Sequence, residues 1–126
     1  MDFREIYDAC DVAGKANVEG FTPDAMIVQQ HENMADDNSS VVKEYVVPDG
    51  PCGFAWVNIK PGNNAFCRWL KANDLGRTDS YYGGVTVWVS DYNQSMQKKE
   101  KYADGFVNKL KELIPNLKAY SMSRMD

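Results

Sequence analysis

The chain has 126 residues, 44% hydrophobic, 12% aromatic and 25% charged, a balance that belongs to one globular domain rather than to a disordered segment. Its net charge of −4 argues against a long nucleic acid or an anionic lipid surface as partner, because neutralising many phosphates takes clustered Lys and Arg. No apolar run approaches the roughly 18 residues that span a bilayer, and Met1 to Glu5 lacks a signal peptide's basic and apolar regions, so a cytoplasmic protein with no membrane partner is expected.

Apolar residues at Phe3, Ile6, Tyr7, Cys10, Val12, Ala13 and Ala16 predict a helix over 2–18 that stops before Gly20 and Pro23. Residues 25–28 read as a short strand, and the polar stretch 31–40 as a loop. Residues 41–47 and 52–59 are rich in β-branched and aromatic side chains, and Pro48-Asp49-Gly50-Pro51 between them predicts a hairpin. Pro61-Gly62-Asn63 ends its second strand, and Ala65, Phe66, Trp69 and Leu70 then predict a short helix to about Asn73.

The run Val85-Thr86-Val87-Trp88-Val89 reads as a central strand buried on both faces. Asp91 is placed to cap the next helix with Gln94 as its capping-box partner, and the stripe Met96, Ala103, Phe106, Val107, Leu110, Leu113 and Ile114 carries that helix to Pro115. Residues 117–122 form a last strand. The expected architecture is a single α+β domain over 1–126, a mixed sheet of about five strands with an N-terminal hairpin and two crossover helices. Crossovers of this kind normally leave neighbouring strands parallel.

In parallel crossover units, ligands collect beyond the carboxyl ends of the strands. Three polar clusters would then face one edge: Lys60, Gly62 and Asn63 with Asn64; Ser90, Asp91, Tyr92, Asn93, Gln94 and Ser95; and Ser123 with Arg124. Two helix N-termini beside Lys60 and Arg124 suit a phosphate or carboxylate, and Tyr92, Tyr81 or Tyr82 would stack on a ring. Against this stands a plainer reading, in which Asp91, Asn63 and Ser95 cap helices while Lys60 and Arg124 are solvated.

Other features carry less. Cys10, Cys52 and Cys67 are odd in number and far apart, which fits reduced, buried thiols rather than disulfides or zinc ligands. His31 is the only histidine, so no histidine-pair metal site is available, and no metal or cofactor is expected. Ser95-Met96-Gln97-Lys98 matches a Ser-x-x-Lys pattern without its companion motifs. Gly83-Gly84 reads as a close approach to the strand at Val85, and Lys98-Lys99-Glu100-Lys101 as solubilising surface. Trp56, Trp69 and Trp88 are read as core.

At residues 53–62 (GFAWVNIKPG), 90–95 (SDYNQS) and 119–126 (AYSMSRMD) the chain resembles a family of small bacteriophage-encoded proteins with no settled activity. The resemblance covers roughly residues 40–126 and brings no catalytic residues with it. It implies a host-cytoplasm setting and accessory tasks such as sequestering the nucleotide messengers of bacterial immunity. The leading expectation is a homo-oligomeric sponge that holds a small anionic ligand, a cyclic or linear nucleotide, without turnover. The alternatives are an enzyme on a phosphorylated nucleotide, with Asp91 as general base and Lys60 or Arg124 stabilising charge, and a host-protein-binding module that uses Tyr81 and Tyr82.

Overall fold

A computed structural model describes residues 1–23, 26–31, 41–47 and 50–126. Helix α1 (Phe3–Val18) begins where the Asp2 carboxylate accepts the Glu5 N–H at 2.8 Å, and it buries Ile6, Cys10, Gly14 and Val18, one residue per turn. Strands β1 (Met26–His31) and β2 (Val41–Val47) pair antiparallel in a sheet of their own. There follow β3 (Gly53–Lys60), α2 (Ala65–Ala72), β4 (Arg77–Thr78), β5 (Val85–Trp88), α3 (Met96–Leu113) and β6 (Lys118–Met125). Among the described residues no helix is long and apolar enough to cross a membrane.

The protein is α+β, as its pattern implies, but its larger sheet is antiparallel rather than mixed. The strand order is β4-β5-β3-β6, and each neighbouring pair runs antiparallel. Two connections explain this. The two-residue β4 and the turn after it reverse the chain, so that β5 returns against β3. Helix α3 does act as a crossover between β5 and β6, which run the same way, but β3 lies between them and opposes both.

Both edges of β3 are thereby occupied, by β5 and by β6. That leaves none for residues 41–47, so the expected hairpin with 52–59 does not form, and β2 pairs with β1 instead. Pro48 and Asp49 of the expected turn, and most of the expected loop 31–40, lie outside the described residues.

Period-two alternation divides the sheet's faces. Ala55, Val57 and Ile59 of β3, Val85 and Val87 of β5 with Val89 beyond it, and Ala119 of β6 join Phe66, Cys67 and Leu70 of α2 and Tyr102, Ala103, Phe106, Val107 and Leu110 of α3 in one core. α1 completes it across α3, where Gly105 and Gly14 let the backbones meet. Phe3 and Tyr7 close the α2 side, 5.5 Å from Phe66 and 6.2 Å from Trp69 between ring centroids.

Lys99, expected at the surface, is only 6% exposed: its ammonium donates to the Gly53 carbonyl at 3.2 Å and lies 5.5 Å from the Phe54 ring centroid. Its stem covers apolar surface while its head finds an acceptor at the strand end. Of the cysteines, Cys10 and Cys67 are buried, but Cys52 is exposed.

Candidate functional site

The face of the sheet turned away from the helices holds a different set of side chains. By register, Trp56 stands opposite Trp88 and Met122, Asn58 opposite Thr86 and Tyr120, Phe54 opposite Arg124, and Arg77 opposite Thr86. Aromatic rings thus run across β5 and β3: Trp56 and Trp88 have centroids 5.1 Å apart, Phe54 and Trp88 6.4 Å, and Trp56 and Tyr82 6.5 Å. Trp88 is 50% exposed while Thr86, on the same face, is buried, so the strand expected to be buried on both faces opens at Trp88.

The turn between β4 and β5 is organised by Asp79. One carboxylate oxygen accepts the N–H groups of Tyr81 (2.9 Å) and Tyr82 (2.8 Å), and the other accepts the Thr86 hydroxyl (2.9 Å). An aspartate bonding to backbone two and three residues on is the standard way to close such a turn. These donors, the Tyr82 N–H foremost, hold the Asp79 carboxyl below the usual carboxylate range. Gly83 and Gly84 both have positive φ (78° and 72°), and a Cβ on Gly84 would collide with the Ile59 carbonyl oxygen, so the close approach is to β3 rather than to the strand at Val85. The turn presents Tyr81, 84% exposed, edge-on to Tyr82 at 4.6 Å.

Between this turn and the sheet lies a cavity of about 640 Å³ whose walls include Trp56, Arg77, Tyr81, Tyr82, Trp88 and Arg124. Arg77 and Arg124 come from the two outer strands, three strand spacings apart across the sheet and four residues apart along it by register, or about 19 Å between backbones. Arg124 reaches over Phe54, with its guanidinium 5.7 Å from the ring centroid. The cavity therefore offers flat apolar surface at its centre and positive charge on two sides. Its one lining carboxylate, Asp79, is already engaged by four donors once Asn58 Nδ2 at 3.4 Å is included.

The three polar clusters do not converge. β5 and β6 oppose β3, so Lys60, Gly62 and Asn63 stand at the far end of β3 from Arg124, about six residues or 20 Å of strand away. Lys60 pairs with Lys118, whereas Arg124 pairs with Phe54. The 90–95 segment shares an end with Arg124 but turns toward the helices, Tyr92 packing 6.1 Å from Tyr102.

Much of that segment is occupied by the fold. Ser95, not Asp91, caps α3, accepting the Lys98 N–H at 3.3 Å, and the Gln94 carbonyl accepts the Gly53 N–H at 3.1 Å. Tyr92 and Asn93 take positive φ (71° and 52°) to make the turn, and Ser90 and Asp91 are exposed. Asn64 rather than Asn63 caps α2. Of the three sequence-predicted clusters, only Ser123 and Arg124 line the large cavity, together with Tyr81 and Tyr82.

Trp56, Trp88 and Arg77 were missed. Their signal lies in alternation: in 85–89 the three valines take one parity, leaving Thr86 and Trp88 on the other. Comparison of the chain with protein-family models, with curated proteins and with solved structures finds no match.

Proposed function

We propose that the protein binds a small anionic ligand carrying a flat ring, of the nucleotide type, in the cavity on the open sheet face, and holds it without chemistry. The observation that supports this is Trp88, half-exposed at the centre of a cavity flanked by Arg77 and Arg124. A ring stacked on an indole gains roughly 1–3 kcal/mol, and guanidinium groups pair with phosphate oxygens in a fork geometry that a lysine lacks. The resemblance to bacteriophage-encoded proteins adds a setting: sequestration of a nucleotide messenger of host immunity, which works by mass action and requires tight binding with no turnover.

The test is a thermal-shift panel of linear and cyclic nucleotides, followed by heat release of the bound ligand and measurement of its mass. Stabilisation with the ligand recovered intact is expected, together with a loss of affinity of about 5- to 150-fold in Trp88→Ala, the equivalent of one stacked base. A changed mass would instead make the protein an enzyme. No shift with any nucleotide would overturn the reading.

A further inference from the structure

A second cavity, of about 370 Å³, opens on the same sheet face, and Tyr82 is a wall of both. Its other walls are Asn58, Lys60, Tyr120, Ser121 and Met122. Asn58 is unusual in this position. It is 1% exposed, its Nδ2 donates to the Gly83 carbonyl at 2.8 Å and faces Asp79 Oδ2 at 3.4 Å, and its Oδ1 finds no donor among the described residues.

The amide cannot be turned over to relieve this. Both groups facing Nδ2 are acceptors, so a flipped amide would set oxygen against oxygen. The hydroxyl of Thr86, opposite Asn58 in register, is already given to Asp79. With Nδ2 committed to the turn after β4, Oδ1 is the part of the amide left for another partner, and Asn58 is itself a wall of the second cavity, with Tyr120 opposite it in register. A buried acceptor left without a donor is costly, and such groups concentrate where a ligand completes them.

The surroundings add charge and a ring. Lys60 lies with its ammonium 5.9 Å from the centroid of the Tyr120 ring, which is itself exposed. Lys60 and Lys118 are direct cross-strand partners, and like charges placed opposite each other in a sheet repel. An anion above the pair relieves that repulsion.

We infer that this second cavity is a ring subsite, in which Asn58 Oδ1 accepts an N–H of the ligand, Tyr120 supplies a stacking face and Lys60 a counter-charge. The ligand is then a two-ring anion of the dinucleotide type, its rings on either side of Tyr82. This rests on the reading of the first cavity as a nucleotide site. It adds what that reading lacks, a reason for the ligand to carry a second ring and a hydrogen-bond donor on it.

The experiment is calorimetric titration of the wild-type protein, Lys60→Ala and Tyr120→Ala with AMP and with the 5′-phosphorylated linear diadenylate. The diadenylate is expected to bind at least about tenfold more tightly than AMP, because its second ring binds as an intramolecular partner of the first. Both variants should abolish that advantage and leave AMP affinity unchanged; should Tyr120→Ala fail to fold, Lys60→Ala carries the comparison. A diadenylate with unsubstituted purine in place of both adenines lacks the amino donor, and should lose about tenfold more affinity than the same change costs the mononucleotide. Equal affinity for AMP and the diadenylate, an advantage that survives in both variants, or indifference to the missing amino group would overturn the second subsite while leaving the first intact. Failure of the wild-type protein to bind either ligand would overturn both.

Discussion

Replacing Gly105 by Ala sets two effects of opposite sign against each other. In an exposed helix interior the change stabilises by about 1 kcal/mol, because glycine has more backbone freedom to lose. Here a Cβ would meet the Ala13 carbonyl oxygen at 2.6 Å, Asn17 Cβ at 2.9 Å and Gly14 Cα at 3.0 Å, where ordinary contact begins near 3.4 Å. Two of the three atoms are backbone, so no rotamer change relieves them, and α1 must move off α3 by about 0.8 Å. That movement also stretches the cross-helix bond from Asn17 Nδ2 to the Lys101 carbonyl, now 2.6 Å. Overpacking of this kind costs roughly 1–3 kcal/mol, and a gap of half an ångström or more forfeits a quarter or more of the dispersion along the seam. The steric term wins, and Gly105→Ala is expected to destabilise by about 1–2 kcal/mol net, lowering Tm by roughly 4–10 °C for a chain of this size. Thermal unfolding followed by circular dichroism measures it. A variant that melts at or above the wild-type temperature would show that the helices do not meet backbone to backbone at this point.

Two further predictions concern titratable groups. The carboxyl of Asp79 is held below its usual range in the folded state, so its contribution is present above the unfolded value of about 3.9 and lost as pH falls through the folded value. The stability gap between wild type and Asp79→Asn should therefore shrink on acidification from about pH 5 to pH 2.5, and amide exchange at Tyr81 and Tyr82 should be faster in the variant at neutral pH. A gap that does not change with pH would mean that the carboxylate does not hold the turn. Burial pushes the Cys10 thiol up to about 12, and raises Cys67 as well, whereas Cys52 is exposed. Because the thiolate is the reactive form, a thiol reagent should modify one cysteine rapidly in the native protein and three in denaturant; a second fast thiol would contradict the packing around Cys10 and Cys67.

The helices were legible because each buries a stripe at helical spacing between clear boundaries. Asp2 opens α1, the 3.6-residue periodicity of 96–114 marks α3, and Pro115 closes it. Strand direction was not legible, because it turns on features that leave little trace in local pattern. β4 has two residues, both exposed, and so carries no hydrophobic signature, yet it and the Asp79 turn decide that β5 runs against β3. The order β5-β3-β6 is equally silent, since a crossover helix fits a neighbouring strand or one two places away. Residues 41–47 and 52–59 look like a hairpin by composition alone. What prevents it is competition for the edges of β3, a property of the whole sheet.

The candidate site follows from the same uncertainty about direction. Residues 90–95 are dense in polar groups, but density there serves the fold: Ser95 caps α3 and Gln94 tethers the start of β3. The cavity's residues are spread over Trp56, Arg77, the Tyr81-Tyr82 turn, Trp88 and Arg124, and only the antiparallel register gathers them. That register also sharpens the argument from charge. A net charge of −4 speaks against a broad phosphate-binding surface, yet Arg77, Arg124, Lys60 and Lys118 all take open-face positions of the sheet, and the Asp79 carboxylate beside them, though held ionised, has its oxygens already engaged by its own hydrogen bonds. Fields at physiological salt fade over about 8 Å. An anion of one or two nucleotides would be attracted by those of the four cations that lie within that distance of it, while a longer polyanion would run on over the acidic remainder of the surface. The acidity of the chain is therefore compatible with the proposed small phosphate-bearing ligand, and would limit the length of such a ligand.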